Sequence, residues 1–274
     1  MGDIVDSASN AGREAKSSAW LDHAVRFGLI AYGVVHLLIA WLSIQLALGD
    51  RKESVSGTGA LSELVTQPFG RTMVWLVAVG MALLVVWRLI ELFAGHRGED
   101  GADLWRSRAV DVLKAGIYGA LGFAAVSVAR GGGSGGGRSE ETISAKLMDH
   151  SWGVWLVGLI GLAVIGYGIS LVWRGLTESY REHLEAEGKS GDLGKAYLLL
   201  GKVGYVAKGV AIGIVGGLFV WAAMTHDPDK SGGLDDALRT VLDQPFGPLL
   251  LAVIAIGIAC YGLFCFARAR HLSR

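Results

Sequence analysis

The 274-residue sequence predicts an all-α integral membrane protein with six transmembrane helices arranged as three tandem helical hairpins. Three observations predict it. Apolar residues make up 52% of the chain and charged residues 18%, against roughly 25% charged in a soluble domain. Six stretches contain no Asp, Glu, Lys or Arg: 27–49, 72–87, 115–129, 151–173, 209–226 and 244–267. Two short strings also recur in alternate stretches at a near-constant separation, the mark of a repeated unit.

A hydrocarbon core of roughly 30 Å is crossed by about 20 helical residues, so three of the stretches suffice and three borrow residues across a flanking charge. The spans are expected near 26–49, 71–95, 107–130, 152–176, 201–225 and 247–269. Residues 1–25 form a polar segment with Asp3, Asp6 and Glu14. No apolar run precedes a small-residue cleavage site there, so no removable signal peptide is expected. The chain divides into this N-terminal segment, hairpins at 26–98, 107–176 and 201–270, and a linker at 177–200.

Each odd span holds a related string: FGLIAYGVV (27–35), DVLKAGIYG (111–119) and GYVAKGVAI (204–212), which put Gly33, Gly116 and Gly209 at one register. Each even span opens on TQPFG (66–70), DHSWG (149–153) or DQPFG (243–247). The first glycine precedes the second by 37, 37 and 38 residues. Before each second string stands an amphipathic turn, Leu64/Val65, Leu147/Met148 or Val241/Leu242, expected to lie flat on the outer face. Pro68 and Pro245 are expected in the first helical turn, where a missing N–H costs nothing. Phe69, Trp152 and Phe246 fit the interfacial aromatic belt. Glycine is 41 of 274 residues, most of it inside apolar runs, which implies closely packed helices. Gly33, Gly116, Gly209 and Gly213 are expected at helix contacts, with the hairpins about a pseudo-threefold axis and the odd spans nearest to it.

Three copies of a Gly-aromatic-x-Ala-Arg/Lys-Gly start followed by a Pro-Phe-Gly or Trp-Gly second helix resemble the membrane family called domain of unknown function 1206, found mainly in actinobacteria. The likeness spans residues 20–270 and is best at GYVAKGV (204–210). Tyr32 and Ala115 stand in the first two repeats where the third has Lys208. The resemblance implies six helices in three repeats and brings no activity with it.

Ionisable residues inside a bilayer are costly and mark function by default. Here they are Arg88, Glu91, Asp111, Lys114 and Lys208, with His36 as a neutral candidate. Arg88 with Glu91, and Asp111 with Lys114, are three apart and can pair along one helix, and a lysine stem can snorkel to the interface. The sharper reading makes Arg88, Lys114, Lys208 and Arg26 a basic site for an anionic lipid headgroup. Lys208 is its best candidate, because no acid lies within four residues.

No nucleophile triad, phosphate loop, HExxH or CxxC is present, so neither an enzyme nor a cofactor is expected. The GGGSGGG stretch (131–137) reads as a loop, and His226 with Asp227 and Asp229, or Asp149 with His150, as solvated loop rather than metal ligands. Cys260 and Cys265 read as small core residues. Lys+Arg and Asp+Glu tie at 25, which gives no basic surface for nucleic acid. Fourteen Lys/Arg flank the side that holds both termini and eight the other, which places the termini in the cytoplasm of a plasma-membrane protein. The function expected first is a structural or accessory component of an envelope assembly, with a membrane-protein partner. The alternatives are a small transporter or channel, and an anionic lipid-binding protein.

Overall fold

The computed structural model describes residues 19–50, 54–95, 101–132, 146–148, 152–183 and 191–272. Six long helices, α1 (Ala19–Ala47), α3 (Gly70–Ala94), α4 (Gly101–Ala129), α5 (Gly153–Leu176), α6 (Gly191–Thr225) and α8 (Gly247–Arg270), account for most of it. Each is long and apolar enough to cross a membrane. They bear out the six spans and the all-α class. Short helices α2 (Gly57–Thr66) and α7 (Leu234–Leu242) precede α3 and α8. The odd spans of the sequence start, and the even spans end, at one face of the bundle. We call it the terminal face and the opposite one the loop face.

α1 packs on α3 and on α8, α3 on α4, α8 on α6 and α6 on α5. The order α4, α3, α1, α8, α6, α5 therefore traces a ring. Among the described residues α4 and α5, neighbours in sequence, share no extended contact, so the ring is open between them. Burial follows that opening rather than the odd or even position of a span. In the most apolar window of α1 61% of residues are buried, against 22% in both α4 and α5. The expectation that odd spans lie innermost is thus corrected: α1 is central and α4 is at the rim.

The sequence explains where the ring closes and where it does not. Within the first hairpin a Cβ on Gly28 would come 2.8 Å from the Gly80 carbonyl, and one on Gly80 would come 2.7 Å from Ala31 Cβ. In the third, Gly204 lies against Tyr261 and Gly257 against Ala207. Counting from the shared glycines, the trio Gly28, Ala31, Gly80 corresponds to Gly204, Ala207, Gly257, and in the second hairpin to Asp111, Lys114, Ala163. Small residues let two backbones approach. The second hairpin has a carboxylate and a lysine at those positions instead.

Contacts between hairpins follow a second register. Gly33 faces Gly262, a Cβ on Gly33 falling 2.8 Å from the Gly262 carbonyl, and Gly209 faces Gly168, at 2.6 Å from its carbonyl. The backbone of Gly213 also meets Gly168, whose Cβ would fall 2.9 Å from the Gly213 nitrogen. Gly116, expected at an equivalent contact, is exposed, and a Cβ there would meet nothing within 4 Å. Gly168 and Gly262 both lie 15 residues after the glycine that opens their helix, and at that place the first hairpin has Val85. There α3 and α4 meet through side chains, a Cβ on Gly122 falling 3.2 Å from Met81 Cβ and one on Gly119 4.0 Å from Val85 Cγ2.

The loop face is closed by the short helices. Ala60 and Leu61 of α2, and Ala237 and Leu238 of α7, are fully buried. Their apolar sides turn into the bundle, and the two caps are tied by Val55 N–H donating to Asp235 Oδ1 at 2.7 Å. Of the matching turn in the second repeat, residues 146–148 are helical. Gly70, Gly153 and Gly247 each begin a span where a Cβ would overlap the carbonyl of Leu64, Leu147 or Leu242. The Phe-Gly and Trp-Gly strings are therefore tight turns into a helix. Phe69 and Phe246 hold left-handed backbones (φ 61°) and are exposed. Pro68 and Pro245 lie ahead of that turn, outside the first helical turn, and the proline inside α8 is Pro248.

Candidate anion-binding cavity

Just inside the terminal face, all six spans contribute to one narrow cavity. It is lined by Arg88, Lys114, Arg174, Lys208 and Arg268, by Tyr32, Tyr118, Tyr167, Tyr205 and Tyr261, and by Ile117 and Leu171. Five basic side chains meet there and no carboxylate is in the lining. The open space is about 20 Å³, room for about one water.

Lys208 is held from α1. Its Nζ donates to Tyr32 Oη at 2.7 Å and to His36 Nε2 at 3.1 Å. His36 Nδ1 donates to the Tyr32 carbonyl at 2.8 Å. A carbonyl only accepts, so Nδ1 carries the proton and Nε2 keeps the lone pair that receives Lys208. The amino group also stands 4.0 Å from the Tyr261 ring centre and 4.7 Å from that of Tyr32, positions favoured for a cation. Tyr32 in turn meets Tyr118 edge-on at 5.1 Å. These partners are all neutral, so they orient Lys208 without offsetting its charge.

Arg88 and Asp111 form a buried ion pair across α3 and α4, Nη1 to Oδ1 at 3.0 Å. Spacing suggested pairs along each helix; the pair seen here crosses between helices. Arg88 also stacks on Trp87 with 3.9 Å from guanidinium to ring centre, and its Nε is buried without a partner. Arg268 is only 5% exposed, yet among the described residues neither its Nε nor its Nη2 has a hydrogen-bond partner. A buried guanidinium with two unused donors costs free energy that an anion would recover.

The structure brings together three of the four basic residues expected at one site: Arg88, Lys114 and Lys208. Arg26 is not among the lining residues. It lies toward the end of α8, where its Nη1 donates to the Arg270 carbonyl at 3.4 Å. Its register explains this, since it stands seven residues before Gly33, where the third hairpin has Lys202. Lys202 also points away from the cavity, to Glu178 at 3.3 Å. Arg174 and Arg268 escaped the sequence reading because each was counted as a flanking charge. Both stand 21 residues after the opening glycine of their helix, and Tyr167 and Tyr261 both stand 14 after it. That shared register was the available signal.

Asp227 accepts from the Asp229 N–H at 3.2 Å and pairs with Lys230 at 3.4 Å, which accounts for the acids beside His226. Tyr180, beyond the end of α5, donates to the Leu198 carbonyl at 2.6 Å, and burial pushes its hydroxyl up to about 12, so it keeps that proton at neutral pH. Cys265 is buried and Cys260 half-buried. Asp149, His150 and residues 133–137 of the glycine-rich stretch lie outside the described residues.

The family model described as Domain of Unknown Function (DUF1206) matches this chain three times, over residues 27–93, 112–178 and 203–271, one match to each hairpin. An uncharacterized protein of Bacillus subtilis (strain 168), YxxB, is 26% identical over 261 residues, 94% of each chain. No solved structure matches the chain.

Proposed function

The chain belongs to the DUF1206 family, and from that premise we propose that this multi-pass membrane protein binds a phosphate-bearing anion in the basic cavity at the terminal face. One observation carries the reading: Arg268, buried, with two unpartnered donors, among four other basic side chains and no lining carboxylate. Low dielectric strengthens the attraction of such a cluster for an anion, and arginine forks match the oxygens of a phosphate. The fully buried Leu61 and Leu238 close the loop face. That arrangement favours a binding site open toward one side of the membrane over a through-going pore.

Purified protein should be stabilised against heat by inorganic phosphate, and Lys208→Gln and Arg268→Gln should each weaken that effect. An interfacial cation is worth about 1 kcal/mol toward an anion, so each replacement should raise the apparent Kd about fivefold. Lys114→Gln/Lys208→Gln protein should also co-purify with less anionic phospholipid than the wild type. Equal phosphate response and equal lipid retention in all forms would mean that these lysines merely snorkel.

In this reading the terminal face is cytoplasmic and the membrane is the plasma membrane, as the excess of Lys and Arg on that side supports. Gln67 on the loop face and Asp192 on the terminal face are exposed. In a background with Cys260 and Cys265 replaced by Ala, an impermeant maleimide should label Gln67→Cys on intact cells. It should label Asp192→Cys only after lysis. The reverse pattern would put both termini outside.

A further inference from the structure

We propose that the gap between α4 and α5 is a lateral portal, through which the phosphate headgroup of a membrane lipid enters the basic cavity from the bilayer. The proposal rests on the anion-binding reading and names both the source of the anion and its route.

Four observations lead there. Among the described residues the ring of helices is closed by extended packing everywhere except between α4 and α5. At the register where Gly and Ala seal the other two hairpins, α4 carries Asp111 and Lys114. Basic residues stand on both sides of the gap, Lys114 on α4 and Arg174 on α5, and both line the cavity. Arg174 stands at headgroup depth and Lys114 lies deeper. Arg174 lies two residues from the end of α5 and Lys114 seven residues inside the span that begins at Ser107, which is about 3 and 10 Å at 1.5 Å per residue.

The two helices on either side of the gap, α4 and α5, are the least buried of the six spans, so lipid chains reach them. A phosphate group is larger than the open space of about 20 Å³, so the wall must yield somewhere to admit one. The least packed wall yields at least cost. An anion that arrives there meets Lys114 and Arg174 first and Arg268 and Lys208 deeper in, while its chains stay in lipid.

The test separates route from site. Wild-type protein in detergent is titrated with phosphatidylglycerol, phosphatidylcholine and inorganic phosphate, with bound molecules counted by native mass spectrometry and the phosphate response read by thermal shift. Asp111→Gly/Lys114→Ala/Ala163→Gly gives α4 and α5 the small residues of the other hairpins, and Lys114→Ala alone controls for the lost charge. Ala163→Trp, at an exposed position, plugs the gap without altering the cavity charges and stands in if the triple variant fails to fold.

Phosphatidylglycerol is expected to bind the wild type and phosphatidylcholine not. Lys114→Ala alone should weaken phosphatidylglycerol about fivefold. Ala163→Trp should lose phosphatidylglycerol while it keeps the phosphate response, and the triple variant should lose phosphatidylglycerol beyond the loss seen in Lys114→Ala. Retention of phosphatidylglycerol by Ala163→Trp, or by the triple variant at the level of Lys114→Ala, would overturn the portal and leave the cavity standing. A wild type that binds phosphate but not phosphatidylglycerol would also overturn it. A wild type that answers to neither anion would remove the anion-binding reading itself.

Discussion

Asp111→Asn is expected to destabilise the folded bundle by about 3–5 kcal/mol, because removal of one partner strands a buried charge. Arg88 and Asp111 are bonded at 3.0 Å with side chains 8% and 5% exposed. The cavity lining around Arg88 holds Lys114, Arg174, Lys208 and Arg268, so its surroundings are otherwise basic. The asparagine keeps the shape and offers a weaker acceptor, so the loss reports charge rather than packing. Arg88→Met/Asp111→Leu should recover most of the stability, since apolar replacement of a whole buried pair is often neutral or better. Thermal denaturation in detergent measures both. Phosphate should stabilise Asp111→Asn more than the wild type, because the same change that raises the energy of the empty cavity deepens its attraction for an anion. A single variant within about 1 kcal/mol of the wild type would mean that water reaches the pair.

The spans were legible because hydrocarbon selects for composition, and composition is local. Phe27 to Gly49 or Ser151 to Trp173 can be read without knowing any neighbour. The repeat was legible as well, because Gly33, Gly116 and Gly209 keep their distance from Gly70, Gly153 and Gly247. Which helix a residue faces is not local. Asp111 and Lys114 sit three apart and read as a pair on one helix, yet Asp111 crosses to Arg88 on α3. The open seam was nonetheless written in the sequence. Aligning the three repeats on their glycines places Asp111 under Gly28 and Gly204, and Lys114 under Ala31 and Ala207. The signal lay in comparing the copies with one another, whereas charge was judged span by span. Arg268 and Arg174 were hidden for the converse reason: their position near a helix end made them look like anchors, and only packing shows Arg268 turned inward and buried.

Gly168→Ala should lower the melting temperature, and Gly116→Ala should not, although both glycines lie at matched ends of the same repeat motif. A Cβ on Gly168 would fall 2.7 Å from the Gly209 carbonyl and 2.9 Å from the Gly213 nitrogen, both backbone atoms. No side chain is there to swing aside, so α5 and α6 must separate along their whole contact. Overpacking of this kind costs about 1–3 kcal/mol, a fall of about 2–10 °C for a chain of this size. Gly209→Ala should behave alike from the other side, since its Cβ would fall 2.6 Å from the Gly168 carbonyl. At Gly116 the new methyl enters open space and replaces the poorest ordinary helix former, a gain of up to about 1 kcal/mol. The contrast turns on Val85, which occupies the place of Gly168 and Gly262 in the first hairpin. Val85→Gly would let α4 approach α3, and in that background Gly116→Ala should become costly. Equal melting temperatures for Gly168→Ala and Gly116→Ala would show that α5 and α6 do not meet through their backbones, and the ring order inferred from that contact would have to change.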